Sequence, residues 1–218
     1  MSNIVLEQTE KTKLRRLPAR GNFDRGVINA ILDEALLCHV GFVVDGQPFV
    51  IPTIHTRVGD ALYFHGSAAS RMLRNLRDGV DACVTVTLLD GLVLARSAFH
   101  HSMNYRSVVI LGKATAVTDD AEKLRMLDAL VEHVCRGRSA EARKPNQREL
   151  VQTMVLRLPI DEASAKIRTG GPIDDEEDYA LPVWAGVLPL KLTPQPPIAD
   201  ERSGAELPAY IANYRRTG

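Results

Sequence analysis

The chain has 218 residues, a length at which one large domain, or one domain with short extensions, is expected. Its 27 basic and 27 acidic residues give a formal net charge of zero, which argues against a surface dedicated to nucleic acid. Apolar residues make up 45% of the chain and charged residues 25%, so disordered, collagen-like and low-complexity classes are excluded.

The cysteines and the N-terminus indicate a reducing compartment. Cys38, Cys83 and Cys135 are far apart, odd in number and form no CxxC pair, so we expect buried, unpaired thiols. Residues 1–21 carry charges where a signal peptide needs an apolar segment. No run approaches the ~20 apolar residues of a membrane span. The sequence therefore predicts a cytoplasmic protein without a membrane segment.

The first half of the chain changes from a helical to a strand pattern. Residues 1–23 are polar and basic, and we interpret them as an arm. Asp24 is expected to cap a helix whose apolar face repeats at helical spacing. Strands are then predicted at 40–44, 49–58, 61–64, 82–89, 92–99 and 106–117, with turns at 45–46, 59–60 and 90–91. A short helix is expected to begin at Ser67.

The second half contains one long predicted helix. Asp119 and Glu122 resemble a capping pair, and the helix after them carries an apolar face: Leu124, Leu127, Leu130, Val131 and Val134. A basic loop is predicted at 136–148 and strands at 153–158 and 163–167. The acidic run 174–178 is interpreted as a solvated loop. We divide the chain into an arm (1–23), one domain (24–193) and a Pro-rich polar tail (194–218).

Several strands joined by short turns favour an antiparallel β-barrel with peripheral helices. Neither GxGxxG nor GxxxxGK[ST] occurs, so a nucleotide would have to be held in another way. The six histidines show no HxH, HxxxH or HxxE spacing, and no metal site is predicted. No GxSxG or supported Ser/His/Asp order is present.

The segment FHGSAASRMLRNL at 64–76 is the first candidate site. Ser67 and Ser70 offer hydroxyl donors, and Arg71 and Arg74 share a helix face. Such a group at a helix start suits a terminal phosphate. The alternative is that Ser67 only caps the helix and the arginines form a solvated face.

Two other segments are unusual. HSMNYRSVVILGKA at 101–114 enters a strand with more polar groups than a core strand needs. PVWAGVLPL at 182–190 holds the only tryptophan, Trp184, and a lone tryptophan is more often a core or interface anchor than a ligand contact.

Two earlier segments belong with these: FVIPTIH at 49–55 and YFHGSAASRM at 63–72. In their order and spacing, the four segments resemble the pyridoxamine 5′-phosphate oxidase-like flavin-binding split barrels. The similarity is greater to the branch that includes the nitroimidazole-resistance proteins, and it covers about residues 20–190. The resemblance implies a mainly β fold, a six-stranded antiparallel split β-barrel. It also implies a homodimer with FMN at the subunit interface.

The resemblance assigns roles by position. Residues along the isoalloxazine edge would be Val50, Ile51, Pro52 and Thr53. His65, Gly66 and Ser67 would lie near the ribityl-phosphate end. The phosphate itself would be held by Ser70 and Arg71. His65 is also the implied catalytic residue, because the imidazole titrates near neutral pH and would lie near the substrate.

A second set of residues would approach the flavin in the cleft shared with the other chain: Asn104, Arg106 and Ser107. Trp184 would line the ring or the substrate side.

The oxidases of the family place a basic residue after the phosphate arginine, where this chain has Met72, and basic residues in the flavin-edge strand, where it has FVIPTIH. Pyridoxamine phosphate oxidation is therefore not expected.

The implied function is an FMN-dependent oxidoreductase that passes electrons from a nicotinamide donor to a small oxidant, such as a nitroaromatic or a quinone. The alternative is a binding or sensing protein that holds a flavin, or haem as in related barrels, without turnover. A deazaflavin in place of FMN, and a structural dimer with an empty cleft, also remain open.

Overall fold

The computed structural model describes residues 4–215. Ten strands form its sheet: β1 (Gly21–Asn22), β2 (Leu37–Val44), β3 (Gln47–Val58), β4 (Ala61–Ser67), β5 (Asp81–Leu94), β6 (Ser102–Lys113), β7 (Thr115–Ala116), β8 (Thr153–Pro159), β9 (Glu162–Arg168) and β10 (Gly186–Pro189). The helices are α1 (Arg25–Glu34), α2 (Arg71–Arg77), α3 (Asp120–Val134), α4 (Arg138–Glu141), α5 (Gln147–Gln152) and α6 (Ala209–Ala212).

All strand pairs in the described chain are antiparallel, in the order β1-β9-β6-β5-β2-β3-β4-β8-β7, and β10 pairs with β5. Within residues 4–215 no hydrogen-bonded pair joins β7 to β1, so the sheet stays open at that seam. The predicted mainly β, split-barrel class is confirmed.

One core lies inside the curved sheet. Phe64 of β4 and Leu158 of β8 belong to the same buried cluster as Val86 of β5 and Ile110 of β6, although β2 and β3 separate these strand pairs in the sheet order. Helix α1 closes one side of this core with Ile28, Ile31 and Leu32. Burial of apolar area drives this closure.

The predicted start of α1 is confirmed. The Asp24 side chain accepts a hydrogen bond from the Val27 amide at 3.0 Å, which satisfies one of the free amides of the first turn. The β2–β3 hairpin also turns where expected. Asp45 and Gly46 both have positive φ, as a two-residue type I′ turn requires.

The expected turn at 90–91 is wrong. Strand β5 runs through it from Asp81 to Leu94, and the register against β6 shifts between Leu89 and Gly91. Asp90 is the extra residue of a β-bulge, so the dipeptide bends one strand instead of joining two. A Cβ on Gly91 would lie 3.0 Å from the Leu188 carbonyl oxygen, because β10 packs closely there.

The terminal segments contact the barrel. Leu6 is buried in the core, and its amide donates to the Phe23 carbonyl at 2.8 Å. In the tail, the Tyr214 hydroxyl donates to the Val134 carbonyl at 2.8 Å. Among the described residues, no helix combines the length and apolar character needed to cross a membrane.

Candidate functional site

The sheet splits between β3 and β4. Strand β3 pairs with β4 only from His55 to Val58, while its first part pairs with β2 alone. Beyond Phe64, β4 continues against β8 and no longer pairs with β3. One edge of β3 over residues 47–54 is therefore free, and Pro52, which has no amide proton to donate, lies in it.

The predicted flavin-edge residues alternate across this free edge. Val50 and Pro52 point to the outer face of the sheet, since neighbouring strand residues face opposite sides. Ile51 and Thr53 share the inner face with their partners Val40 and Cys38. Val50 is 64% exposed and Ile51 39%, so apolar surface lines the free edge.

The short helix begins later than predicted. His65, Gly66 and Ser67 still belong to β4, because pairing with β8 continues to Ser67 opposite Thr153. Helix α2 starts at Arg71, and the Ser70 side chain caps it by accepting from the Leu73 amide at 3.5 Å.

Arg71 spans the split. Its guanidinium lies 4.2 Å from the centroid of the Phe49 ring of β3. Within residues 4–215 no carboxylate pairs with it. The Ser67 hydroxyl accepts from the Ala69 amide at 3.2 Å, and like Ser70 it keeps its own proton to donate. These three side chains form an arrangement that suits an anion.

His65 faces a different surface from the barrel core. It lies on the same side of β4 as Ala61 and Tyr63, the side covered by α3. Its Nδ1 is buried without a hydrogen-bond partner among the described residues. Burial lowers the pKa of the imidazole, because the apolar surroundings disfavour the charged form.

A pocket of about 440 Å³ opens beside His65, and we call it the α3 pocket. It is lined by Ile54, His65, Leu127, Leu130, Val131, Val134, Cys135, Arg138, Pro145, Glu149 and Thr153. Burial raises the pKa of the Cys135 thiol, with a smaller opposing effect of Arg138. The sequence does not predict this pocket, because an apolar helix face such as that of α3 is expected equally for a helix that only packs on the core.

The second predicted set lies on β6. Asn104 is buried; its amide donates to the Gly170 carbonyl at 3.1 Å, and its oxygen accepts from Arg168 at 2.5 Å. Ser107 donates to the Lys166 carbonyl at 3.3 Å. Asn104 therefore holds the loop after β9 in place.

Arg106 is engaged by two carboxylates. It makes bidentate contacts to Asp90 at 2.9 and 2.7 Å and to Glu34, one of the latter at 2.8 Å. Hydrogen bonds to Asp90, then to Glu34, raise the pKa of the guanidinium. Within its own chain Arg106 ties the β5 bulge to the end of α1.

Trp184 is 67% exposed and lies ahead of β10. Its ring leaves no room for a Cβ on Gly186, where the nearest ring atom would be 2.9 Å away. Since β10 pairs with β5 at residues 91–94, Trp184 belongs to the end of the sheet where Asn104 lies.

The structure thus divides the predicted residues into two groups. The first combines the free edge of β3, the end of β4 and the start of α2. The second combines β6 with the segment before β10. Strands β2 and β5 lie between β3 and β6, so the groups are about 14 Å apart across the sheet. A single chain does not bring the two groups together.

The acidic run contains an unexpected structural residue. The Asp174 side chain is fully buried and pairs with Arg96 at 3.0 Å. It also accepts from the backbone amides of Arg96 and Ser97 at 3.0 and 3.3 Å. The solvated-loop interpretation is therefore wrong for Asp174, although the next four residues, 175–178, are mostly exposed. Over residues 4–215, the side chains form no group of three or more potential metal ligands.

A family model described as pyridoxamine 5′-phosphate oxidase matches residues 24–167. A comparison with curated proteins finds no match.

Several solved structures are similar over most of the chain. The flavocytochrome Anf3 from Azotobacter vinelandii is 42% identical, over 96% of this chain and 98% of its own, with a TM-score of 0.90. The FAD and heme binding protein from Mycobacterium smegmatis is 38% identical, over 88% and 96%, with a TM-score of 0.85. A candidate 5-nitroimidazole antibiotic resistance protein from Bacteroides thetaiotaomicron is 25% identical, over 66% and 84%, with a TM-score of 0.55.

Proposed function

Because this chain belongs to the pyridoxamine 5′-phosphate oxidase family, we propose that it binds a flavin nucleotide at the split between β3 and β4 and uses it for electron transfer. The similarity to a flavocytochrome and to an FAD and heme binding protein supports a flavin. FMN is the nucleotide that the resemblance implies, and the name of the second relative makes FAD the alternative.

The observation that carries the proposal is the position of Arg71. It is a cation without a carboxylate partner in the described chain, held over Phe49 at the mouth of the split. Ser67 and Ser70 stand beside it with hydroxyl protons to donate. A flavin phosphate takes charge-assisted hydrogen bonds from such groups. His65 and Gly66 precede them on β4 and would lie near the ribityl end of the flavin.

The free edge of β3 supplies the surface for the ring. Its apolar side chains at Val50 and Ile51 exclude water, and the edge offers unpaired backbone groups to ring heteroatoms. Residues 52 and 53 continue this edge. The chain thereby orients the ring, which matters because the protein around a flavin contributes orientation and electrostatics.

A second copy of the chain is the proposed partner. The outer face of β2 and β3 exposes Leu37, Val43, Val50 and Ile54, each at least 38% accessible. Contiguous apolar surface of this kind is typical of an interface. A homodimer through this face would bring Asn104, Arg106, Ser107 and Trp184 of one copy toward the cleft of the other.

A flavin, when bound, supplies one- and two-electron transfer. The residues of the chain would hold its phosphate, shield the ring from water and position a proton donor. His65 is the proposed donor, although its lowered pKa means that it carries a proton only in acidic solution or once an anion faces it. We propose a nicotinamide as electron donor and a small nitroaromatic or quinone as acceptor.

The second candidate function is a protein that holds a flavin or haem without turnover. The similarity to the flavocytochrome favours haem as an additional group, and the α3 pocket offers the His65 imidazole, whose Nδ1 has no hydrogen-bond partner among residues 4–215.

Mass spectrometry and absorption of the purified, full-length protein test the proposal. We expect FMN or FAD to be released on denaturation, and NAD(P)H to bleach the flavin bands without air. A flavin that stays oxidised in the presence of NADPH and NADH would contradict the proposed electron transfer from a nicotinamide donor. It would favour the second candidate, a protein that binds its cofactor without turnover. A protein that neither retains a flavin nor binds added FMN or FAD would overturn the whole proposal.

A further inference from the structure

We propose that a basic surface on the outer face of the sheet binds the phosphate groups of the nicotinamide dinucleotide that the proposed function uses as electron donor. This inference rests on the proposed function, because it names where that donor binds. Three cations form the surface: Arg20, which precedes β1, and Lys166 and Arg168 of β9. Tyr105 of β6 lies opposite Arg168 in the strand pairing. We call these four residues the outer basic patch.

The members of the outer basic patch on β6 and β9 lie on one face of the sheet. Lys166 and Arg168 are two residues apart, so both point to the face opposite that of Ile167, which packs on the barrel core. Tyr105 shares their face, because it is the cross-strand partner of Arg168. Strand β1 pairs with β9 at Lys166, which places Arg20, one residue before β1, beside the same strand.

Arg168 is a buried cation without a counter-ion among residues 4–215. It is 6% exposed, and its guanidinium donates only to uncharged oxygens: Oδ1 of Asn104 at 2.5 Å and the carbonyls of Gly170 and Gly171 at 3.1 and 3.0 Å. Its Nε is buried without a partner in that range. A buried charge that only neutral groups solvate is costly, so an anion beside Arg168 would stabilise the folded protein.

The neighbours of Arg168 add positive charge to the surface. Burial lowers the pKa of Arg168, and the charge of Arg20 lowers it further. Neither Arg20 nor Lys166 forms an ion pair within residues 4–215. The Tyr105 hydroxyl makes no hydrogen bond in the same part of the chain, so it can donate one. This set of donors suits the several oxygens of a phosphate or pyrophosphate.

The outer basic patch is continuous with the second group of predicted cofactor residues. Ser107, on the same face of β6 as Tyr105, donates to the Lys166 carbonyl at 3.3 Å, and Asn104 accepts from Arg168. In the proposed homodimer this group faces the flavin cleft of the other copy. The start of α2 already provides for the phosphate of an FMN, so a second phosphate site fits the dinucleotide that must approach that flavin. The adenylate half of FAD carries the same chemistry, and the experiment has to distinguish the two sources.

Two residues of the outer basic patch are suited to mutation. Arg20→Gln and Lys166→Gln each remove one cation, and because both residues are only partly buried, the fold should tolerate the changes. A double variant removes both cations. Lys113→Gln is the matched control, because Lys113 is an exposed lysine on the same strand as Tyr105 but at its other end.

Isothermal titration calorimetry of the full-length, flavin-loaded protein with NAD⁺, NADP⁺ and inorganic pyrophosphate gives the dissociation constants. The flavin released on denaturation gives the flavin content per chain. We expect each single variant to bind the dinucleotides about tenfold more weakly, the effect of roughly one charge-assisted hydrogen bond, and the double variant more weakly still. Pyrophosphate should compete with both dinucleotides. Lys113→Gln should bind as the wild type does, and the flavin content should be unchanged in every variant.

Thermal unfolding tests the buried cation itself. Pyrophosphate should raise the Tm of the wild type, because a ligand that binds only the folded state stabilises it. The rise should be much smaller in Arg168→Gln, which lacks the buried charge. The double variant of Arg20 and Lys166 gives the same comparison if Arg168→Gln does not fold.

Four outcomes separate this site from the proposed flavin function. Unchanged dissociation constants in the double variant would overturn the site. Loss of flavin from that variant, with dinucleotide binding retained, would assign the patch to the phosphates of the flavin and overturn the assignment to the donor. A wild-type protein that holds flavin but binds neither the dinucleotides nor pyrophosphate would overturn the site and leave the flavin function standing. Patch-dependent pyrophosphate binding by a protein that takes up no flavin would do the reverse.

Discussion

The guanidinium of Arg71 and the ring of Phe49 lie 4.2 Å apart, across a gap that no pair of hydrogen-bonded strands closes. Phe49 is itself stacked on Phe42 of β2, with 5.4 Å between ring centroids. A cation over an aromatic face is attracted by the ring quadrupole, so this contact restrains Arg71 at the mouth of the split. The restraint lowers the entropy cost of binding an anion there.

Replacement of Arg71 should abolish tight flavin binding. We expect Arg71→Ala to raise the flavin dissociation constant about 10- to 100-fold, since a charge-assisted hydrogen bond contributes roughly 1.5–3 kcal/mol. Quenching of flavin fluorescence measures this. The control is Arg74→Ala, one helical turn further along α2 and also exposed, which should change the constant less than threefold. Unchanged retention in Arg71→Ala would leave only a structural role for this cleft.

A charge on the outer face of β3 should separate the proposed dimer. Val50→Lys places an ammonium in the middle of the apolar face, where burial against a second copy would leave it without a counter-ion. Light scattering after size exclusion should give the monomer mass, and flavin content should fall with it. Val151→Lys, on α5 and 69% exposed, should stay dimeric. A Val50→Lys protein that remains a dimer would place the interface elsewhere.

Arg106 should matter for stability whether or not flavin is bound. Arg106→Met leaves Glu34 and Asp90 facing each other without their shared cation, and we expect a loss of about 2–4 kcal/mol in the free energy of unfolding. Urea denaturation measures it. Arg77→Met, which removes an exposed pair with its neighbour Asp78, should change the free energy of unfolding far less than Arg106→Met does, because solvent screens that pair. Similar losses in both variants would argue against a structural role for the Arg106 cluster.

His65 should make the apoprotein less stable in acid. Its pKa is below the ordinary value of 6.5 in the folded state, so the unfolded chain binds the proton more readily. Stability is therefore lost as pH falls below about 6.5 and is constant from this source above it. We expect His65→Gln to show a smaller drop in Tm between pH 7 and pH 5 than the wild type. Parallel curves would assign the acid sensitivity to other groups.

Cys38 should resist thiol reagents until the protein unfolds. Burial raises the pKa of its thiol to about 12, so at pH 8 it holds about a thousandfold less thiolate than an unburied cysteine. Ellman's reagent should label Cys83 and Cys135 of the native protein first, since both are half-buried. Fast labelling of all three thiols in native buffer would contradict the burial of Cys38.

Local patterns predicted much of the fold. The cap at Asp24, the Asp45-Gly46 hairpin and the apolar face of α3 depend on residues within one or two turns of each other, so the sequence displays them directly. The two late strands were predicted for the same reason. The dipeptide Asp90-Gly91 is typical of a hairpin turn, but hydrogen bonding of β5 to both β6 and β10 keeps this segment extended.

The site depended on contacts that the sequence does not display. Ser67 remains in β4 because Thr153, far along the chain, pairs with it. Asp174 is buried because Arg96 and two backbone amides meet it.

By itself, the sequence determined the mainly β fold class, the resemblance to one family, and the position of His65, Ser70 and Arg71 close to the end of one strand. Composition, turn residues and the order of segments can all be seen in the sequence without knowing which distant segments pair. Only the tertiary structure decided that His65 faces α3 instead of the barrel core, and that β2 and β5 separate the β3 edge from Arg106. Strand order and face depend on which distant segments pair. That choice is made by burial of the whole apolar surface and not by any one segment.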